Sequence, residues 1–481
     1  MGTAFLHRLA LGAHFVITMS GTGSVRHVCQ LFELTGLNQF IASSYAAQYD
    51  VSTEMEQAII DFDHCERNRL ATSMLPKEIA VCQDETFHPE TCLVAIEPAS
   101  NFILVEKYAD SRKAAEWTKA MQEATQGLPV SIVQSASDEG SGILHHVRSD
   151  LGAQHAPDLF HVQNEIVKGT SVVLAGKKKI AQERLELAGQ RVDSRMRQKE
   201  DYRQTAHGPG RPVEFDKRIE AAVQIQEQAR KDLETAESHQ VRMKEAIQKI
   251  SKAYHPVDIE TGKMRQADEV SRSLNDCFTE IEAVASEANL LQRSLKRILK
   301  AKKLVVDMVA VILFYHMHIQ AKVEALSLPP KVEQAVMDTL IPGLYIKRLS
   351  KQAKSADERR RLRMLSQNIL GSLQAEDGAF GALSAEELKL IEKTGAECAN
   401  LFQRSSSCVE GRNGQLSLRH HGLHRLSNRK LSALTAVHNY FIRRPDGTTA
   451  AERFFGTKPR EMFDFLLGAV DLPGRPARRR L

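Results

Sequence analysis

The sequence predicts an α/β fold in which a mixed five-stranded sheet is interrupted by a long all-α insertion. Three observations predict it. Residues 79–162 hold short apolar runs with strand periodicity, residues 164–403 show helical spacing without strand signals, and 404–481 return to short helical segments. With 481 residues, the chain has room for two to four domains. We therefore expect one sheet-containing core, completed by residues that lie on both sides of the insertion.

Composition excludes several classes of protein. The formal net charge of +5 is only mildly basic, so charge alone is weak evidence for a nucleic-acid partner. The seven cysteines form no CxxC pair, which argues against a disulfide framework or a structural zinc site and fits a reducing cytoplasm. The most apolar stretch, 304–319, contains Asp307 and is shorter than the ~20 residues of a membrane span. We expect a cytoplasmic protein with no membrane partner.

The first 75 residues read as helical, with turn signals at Gly21, Gly23 and Gly36. A helix-turn-helix is one interpretation, since such units bind DNA through their second helix. A small helical cap without a direct function is the alternative. The sequence leaves both open.

Residues 79–162 give the order of the sheet. The order is three strands, a helix, a strand, a helix and a strand, at 79–85, 92–97, 101–106, 110–126, 130–138, 140–151 and 157–162. Asp84 closes the first strand, and Asp138 closes the fourth strand 54 residues later. This is the order of a ribonuclease-H-like fold, which places one acid on its first strand and another on its fourth.

Two coiled-coil seams follow. Apolar residues alternate spacings of three and four over 219–250 and again over 270–298, and the Pro- and Gly-containing segment 254–262 separates them. The simplest interpretation is an antiparallel helical hairpin over 215–300 with arms of roughly 50 Å. A parallel coiled coil between two chains is the alternative.

A third acid, Glu410, lies downstream of the insertion in the segment Ser-Ser-Ser-Cys-Val-Glu-Gly-Arg-Asn, residues 405–413. The serines favour a helix start, which would put Glu410 in the first turn. On spacing alone, an acid that only offsets the helix dipole is the favoured interpretation of Glu410.

These segments together resemble the DDE-type transposases of bacterial insertion sequences. The likeness rests on Asp84-Glu85-Thr86, on Asp138-Glu139-Gly140, on 158–162 and on 407–413. It extends to the tail 438–453, where an Asn-Tyr helix leads to Arg-Pro and a Thr-Ala-Glu turn. It covers about 79–165 and 405–460, and several such transposases carry an all-helical insertion between the second and third acids. The resemblance implies a ribonuclease-H-like catalytic core.

The resemblance also implies a mechanism. Asp84, Asp138 and Glu410 would hold two Mg²⁺ ions, with Mn²⁺ as a substitute, some 3.5–4 Å apart. The chain would cleave DNA at the ends of an insertion sequence and join them to a target. Its partners would then be double-stranded DNA, at the transposon ends and the target, and further copies of itself in a dimer or larger synapse. Its place would be the bacterial cytoplasm, in association with the nucleoid.

Further residues are candidate DNA contacts. Glu85 and Glu139 rank below their neighbours, because strand alternation points them away from the site. His161 is either a phosphate contact or a hydrogen-bonded histidine at a strand end. The basic segment 419–430 is either a phosphate-binding surface or a solvated helix face. The candidate DNA-binding residues are His161, Arg412, Asn413, Arg419, Arg425, Arg429 and Lys430.

Four regions result. They are a helical N-terminal region (1–75), the first part of the core (76–165), the helical insertion (166–403), and the second part of the core with a basic C-terminal tail (404–481). Three alternatives to an active transposase remain: an inactive transposase-derived DNA-binding protein, a non-enzymatic coiled-coil interaction protein, and a ribonuclease or junction-resolving nuclease of the same fold.

Overall fold

The computed structural model describes residues 2–471 except 88–89, 207–209, 211–212, 374–377, 382 and 424, and it leaves out the side chains of 422 and 423. The basic tail at 475–480 lies outside these residues. The chain divides into two compact units, residues 1–158 with 393–481 and residues 159–392. Each unit is a separate body of packed elements, so the sheet-containing unit is built from two distant parts of the sequence.

The first unit contains one five-stranded sheet, which confirms the predicted mixed sheet. Its strands are β1 (Lys77–Phe87), β2 (Thr91–Glu97), β3 (Phe102–Tyr108), β4 (Val130–Ser137) and β5 (Gln154–Pro157). The order across the sheet is β3-β2-β1-β4-β5. The pairs β1–β2 and β2–β3 are antiparallel, whereas β4 runs parallel to β1 and to β5. The central strand β1 is therefore antiparallel to one neighbour and parallel to the other.

The fifth strand was predicted in the wrong place. The prediction was 157–162, but β5 ends at Pro157 and a helix begins at Leu159. Pro157 has no N–H with which to continue a ladder. Leu159, Val162 and Ile166 are buried at spacings of three and four, which is the pattern of one helix face. Asp158 joins the two elements, and its backbone N–H donates to Ser137 at 3.0 Å.

Five helices of the first unit precede Asp158. They are α1 (Thr3–His14), α2 (Val25–Leu34), α3 (Tyr45–Thr72), α4 (Ala114–Thr125) and α5 (Ser141–His145), with π-helical turns at Phe15–Ser20 and His146–Asp150 and a 3-10 turn at Leu37–Gln39. The amphipathic helix α4 packs on β3 and buries Trp117, Ala120, Met121 and Ala124. It is the helix predicted at 110–126. The possible helix-turn-helix near the N-terminus stays a prediction.

The second unit is helical. Its elements are α6 (Leu159–Gln204), α7 (Phe215–Ala253), α8 (Ala267–Glu287), α9 (Gln292–Lys303), α10 (Val305–Glu324), α11 (Pro330–Ala335), a π-helical turn (Val336–Leu340), α12 (Ile341–Gln352) and α13 (Ala356–Gly371). The apolar stretch at 304–319 is a buried face of α10. Among the described residues, no helix combines the length and the apolar character that crossing a bilayer requires.

The hairpin differs from the prediction in its pairing. The long antiparallel pair is α6 with α7, joined near its tip by the ion pair Lys199–Asp216 and near its base by Gln163, which donates to the Ile247 carbonyl at 2.7 Å. Helix α8 covers only the second half of α7, where Arg242 binds Glu287. The second seam, predicted as one arm, is split at 288–291 into α8 and α9.

The chain returns to the first unit within α14 (Ala385–Leu401), and continues through α15 (Ser407–Leu423), α16 (Asn428–Tyr440), α17 (Ala450–Phe455) and α18 (Met462–Ala469). Helix α15 packs on β1 and β2, and α16 packs on β3 and α3. Asn439 of α16 accepts from Ile103 N at 2.9 Å and donates to Ile103 O at 3.0 Å. The Asn-Tyr part of the tail motif thus closes the edge strand of the sheet.

Candidate metal centre

Two of the three predicted acids meet at one point of the sheet. In the parallel pair β1–β4, Cys82 lies opposite Ala136. Asp84 lies two residues after Cys82 and is still inside β1. Asp138 lies two residues after Ala136, just after the end of β4. Their carboxylates belong to a group of three whose oxygens lie within 4.8 Å of one another. Both side chains are half-buried.

The third member of this group is Glu85, which the strand alternation had ranked below Asp84. The structure nevertheless places it in the same group as Asp84. Its carboxylate accepts a hydrogen bond of 3.1 Å from Nε1 of the buried Trp117 on α4. The Glu85 side chain points to the α4 face of the sheet. Asp138 lies beyond the end of β4, where strand alternation no longer fixes the direction of its side chain. The Glu85 carboxylate can therefore lie close to the Asp138 carboxylate.

Backbone amides fix the two aspartates. The Glu85 N–H donates to Asp84 Oδ1 at 2.9 Å, and the Gly140 N–H donates to Asp138 Oδ1 at 3.0 Å. The loop after Asp138 also passes very close to the segment before α4. A Cβ added at Gly142 would overlap the carbonyl oxygen of Arg112. This close approach explains why glycine occupies position 142, and it holds the loop that carries Asp138.

Glu410 lies in the first turn of α15, as predicted, and is half-buried. Among the described residues, the group of acids within 4.8 Å of one another does not include it. Its helix nevertheless packs on β1 and β2, the two strands that pair at Asp84 and Val94. The fold thus brings Asp84 and Asp138 together and places Glu410 on a helix that covers the strand carrying Asp84.

Three contacts set α15 on this face of the sheet. Cys82 Sγ donates to the Ser405 carbonyl at 3.4 Å, and Asp158 accepts from the Ser406 N–H at 3.2 Å and from its hydroxyl. Arg412 forms two hydrogen bonds to Glu106, at 2.7 and 2.6 Å.

The strand register relates these contacts to the acids. Asp84 pairs with Val94, and Val94 pairs with Glu106. Side chains of paired residues share a face of the sheet, as do residues two apart on one strand. Asp84 therefore lies on the face where Cys82 and Glu106 contact the α15 segment. Glu85 lies on the opposite face, against α4.

The electrostatics of the group favour a cation. Burial raises the pKa of Glu85 above its ordinary value of 4.5, and the nearby charge of Asp138 raises it further, while Trp117 and Arg112 act in the opposite direction. Three close carboxylates repel one another, and a divalent cation offsets that repulsion. Carboxylate oxygens are the ligands that Mg²⁺ and Mn²⁺ prefer. The residues present therefore fit a divalent metal ion held by Asp84, Asp138 and Glu85.

The five cations predicted to bind DNA all have hydrogen-bond or ion-pair partners within the protein. Arg412 is 6% exposed and bound to Glu106. The guanidinium of Arg419 donates to backbone carbonyls at the end of the π-helical turn 15–20, including that of Gly21 at 2.8 Å. Arg429 and Lys430 both bind Glu56 of α3, at 3.0 and 3.2 Å. Burial lowers the pKa of Lys430.

The other three predicted DNA-binding residues are less constrained by contacts within the protein. Arg425 is exposed and pairs with Glu90 at 2.7 Å. Asn413 is half-buried on α15. His161 lies in the first turn of α6, in the helical unit, and its ring meets that of Phe160 edge to face. It is on a helix and not at a strand end, because β5 ends earlier than predicted.

A cleft of about 780 Å³ opens beside the acid group, and sequence reasoning missed its basic residues. Glu85 lines it together with Arg112 and Lys113, which immediately precede α4. Two adjacent cations before a helix gave a weak signal, since such pairs are common on surfaces. Only the fold shows that they lie beside a carboxylate of the candidate metal centre.

Comparison with known proteins gave a match for the C-terminal part of the chain. Residues 336–481 match a family of unknown function (DUF6399). The matched segment spans α15, which carries Glu410, and α16, which closes the sheet. A search of curated proteins found no match to the chain. The C-terminal part is therefore similar to a family to which no activity is assigned.

Proposed function

We propose that this protein is a DDE-type transposase that cleaves and transfers DNA strands with the help of divalent metal ions. One observation carries the proposal. Asp84, inside β1, and Asp138, just after the end of the parallel strand β4, lie close together, and α15, from beyond the helical insertion, packs on the face of the sheet that carries Asp84 and holds Glu410 in its first turn.

The sheet supports a ribonuclease-H-like fold for the core. Its order is β3-β2-β1-β4-β5, with β2 the only strand antiparallel to both of its neighbours. In such a fold the acids of a nuclease lie on the first strand, on the fourth strand and on a later helix. Asp84 on β1, Asp138 directly after β4 and Glu410 on α15 are consistent with this order and support the proposal.

The chain's own residues would bind the metal and orient the DNA. Asp84 and Asp138, each held by a backbone amide, would provide fixed oxygen ligands, and Glu85 or Glu410 would complete the set. Divalent ions held by these residues would supply activation of the attacking oxygen and stabilisation of the leaving oxygen. The substrates would be double-stranded transposon ends and target DNA. The active form would be a dimer or larger assembly in the bacterial cytoplasm, at the nucleoid.

The test is metal-dependent cleavage of duplex DNA that contains the matched ends of the element. Asp84→Asn, Asp138→Asn and Glu410→Gln should each abolish cleavage, because each change removes a metal ligand without altering side-chain size. Glu54→Gln, at an exposed acid on α3, is the matched control and should cleave normally. Wild-type rates in Asp84→Asn and Asp138→Asn would refute the proposal. Competition by an RNA–DNA hybrid or a four-way junction would identify a different nuclease of the same fold.

A second candidate is a transposase-derived DNA-binding protein that no longer cleaves. The position of Glu410, outside the group of three close acids, favours it. Under this proposal the chain binds terminal duplexes, and neither Mg²⁺ nor Mn²⁺ produces a nick. If the acids have no effect, and deletion of 215–300 abolishes binding of a protein partner, the coiled-coil interaction protein is the better description.

A further inference from the structure

The cleft beside the acid group has one acidic side and one basic side. Glu85 and Phe87 of β1 and Thr91 of β2 form one side, and residues 111–114 before and at the start of α4 form the other. The loop 140–142 also lines it. Because Glu85 belongs to both the cleft and the acid group, a ligand in the cleft lies next to any metal bound there.

Arg112 and Lys113 are the cations of this cleft, and both side chains are exposed. In the described part of the chain, neither forms an ion pair with a carboxylate. They differ in this respect from Arg412, Arg429 and Lys430, whose charges are paired with glutamates. Arg112 and Glu85 line the same cleft, so the charge of Arg112 lies beside the acid group.

The backbone at this position is held by the loop that carries Asp138. Gly142 lies so close to the Arg112 carbonyl that no side chain fits between them. The Ser111 hydroxyl accepts from the Lys113 N–H at 3.4 Å. The backbone positions of Arg112 and Lys113 are thus fixed relative to Asp138, although their side chains extend into solvent.

We infer that Arg112 and Lys113 bind backbone phosphates of the DNA strand that enters the metal centre, adjacent to the phosphate at which cleavage occurs. This inference rests on the proposed function and specifies how its site recognises nucleic acid. A phosphodiester strand carries one negative charge per nucleotide, and a strand held at three carboxylates needs positive charge beside them. The basic side of the cleft supplies it, whereas most of the basic segment on α15 and α16 does not.

The experiment is a salt titration of DNA binding by the full chain. A fluorescent blunt duplex of arbitrary sequence is bound in Ca²⁺, which occupies oxygen sites, and its Kd is measured by anisotropy from about 50 to 200 mM KCl. The variants are Arg112→Gln with Lys113→Gln, and the matched control is Lys119→Gln, at an exposed lysine further along α4. Circular dichroism confirms that each variant is folded.

The double variant should lower the slope of log K against log salt by about 1.8, since each lost phosphate contact removes about 0.9. Lys119→Gln should keep the wild-type slope. Equal slopes in the double variant and the wild type, or no salt-dependent binding by the wild type, would overturn the inference. Failure of the proposed function would be seen in a different measurement. The wild type would then not cleave DNA in Mg²⁺ or Mn²⁺, even if its binding showed the expected salt dependence and the double variant showed the expected decrease in slope.

Discussion

The ion pair between Arg412 and Glu106 is a structural element of the core, and its removal should destabilise the sheet-containing unit. Arg412 is 6% exposed and Glu106 is 7% exposed, and two hydrogen bonds of 2.7 and 2.6 Å join them. The Thr435 hydroxyl also donates to Glu106 at 2.5 Å. Arg412→Ala removes the cation and leaves a buried carboxylate with one neutral donor.

The magnitude follows from this geometry. Removing one partner of a buried pair costs about 3–5 kcal/mol, because the remaining charge is uncompensated. The Thr435 donor remains, so we place Arg412→Ala at the lower end, about 3 kcal/mol. Replacing both partners by apolar side chains, Glu106→Leu with Arg412→Met, removes both charges, and the Thr435 hydroxyl keeps the Leu431 carbonyl as an acceptor at 3.0 Å. That double variant should cost about 1–2 kcal/mol.

Urea unfolding measures both values. Trp117 is the single tryptophan and is fully buried on α4 in the same unit, so its fluorescence reports this unit and not the helical one. The free energy of unfolding should fall most in Arg412→Ala and should partly recover in the double variant. A loss below about 1 kcal/mol in the single variant, or no recovery in the double variant, would refute a buried structural role for Arg412.

Three further outcomes are expected. The raised pKa of Glu85 means that the folded chain disfavours its charge, so the free energy of unfolding without metal falls as pH rises from 4.5 through the raised value. Glu85→Gln should remove this loss in EDTA and should weaken Mg²⁺ binding. If the pH profile of urea unfolding is the same in Glu85→Gln and the wild type, this expectation is contradicted. Gly142→Ala should displace the loop from Arg112 and lower Mn²⁺ affinity about 10–100-fold by calorimetry, and wild-type affinity would argue against the close approach. Asn439→Ala should leave the N–H and C=O of Ile103 unpaired and lower the free energy of unfolding by about 2 kcal/mol or more. Hydrogen exchange of the Ile103 amide should become faster, and wild-type protection of that amide would disprove this expectation.

Much of the sheet could be predicted, because four strands carry strong local patterns. The apolar runs of β1 to β4 and the periodicity of α4 lie close to their predicted bounds. The fifth strand could not be predicted correctly, since Gln154-His155-Ala156-Pro157 is short and has no strand pattern. The second seam keeps its apolar spacing across a break at Asn289, whose φ of 49° is left-handed. Periodicity records which faces are apolar, and it does not detect one residue that leaves the helix.

The candidate site was predictable for Asp84 and Asp138, because two apolar runs that each lead to an acid predict strands of one sheet, although β1 continues past Asp84 to Phe87. The basic residues were not predictable, because their partners come from remote parts of the chain. Arg412 binds a glutamate of β3, and Arg429 binds a glutamate of α3. A charge cluster in a sequence looks the same whether it faces solvent or neutralises buried acids. This is why Arg112 and Lys113, which look ordinary, are now the better candidates.

The divided first unit has a consequence for synthesis on the ribosome. Residues 77–157 emerge early with all five strands, but Asn439, which closes β3, and Glu410 follow only after the whole helical unit has been made. During that interval the nascent sheet exposes an unsealed edge, which is a template for aggregation. The same delay keeps α15 off the sheet until the helical unit has been made, so a product that ends in the helical unit would lack α15 and would leave Glu106 without Arg412.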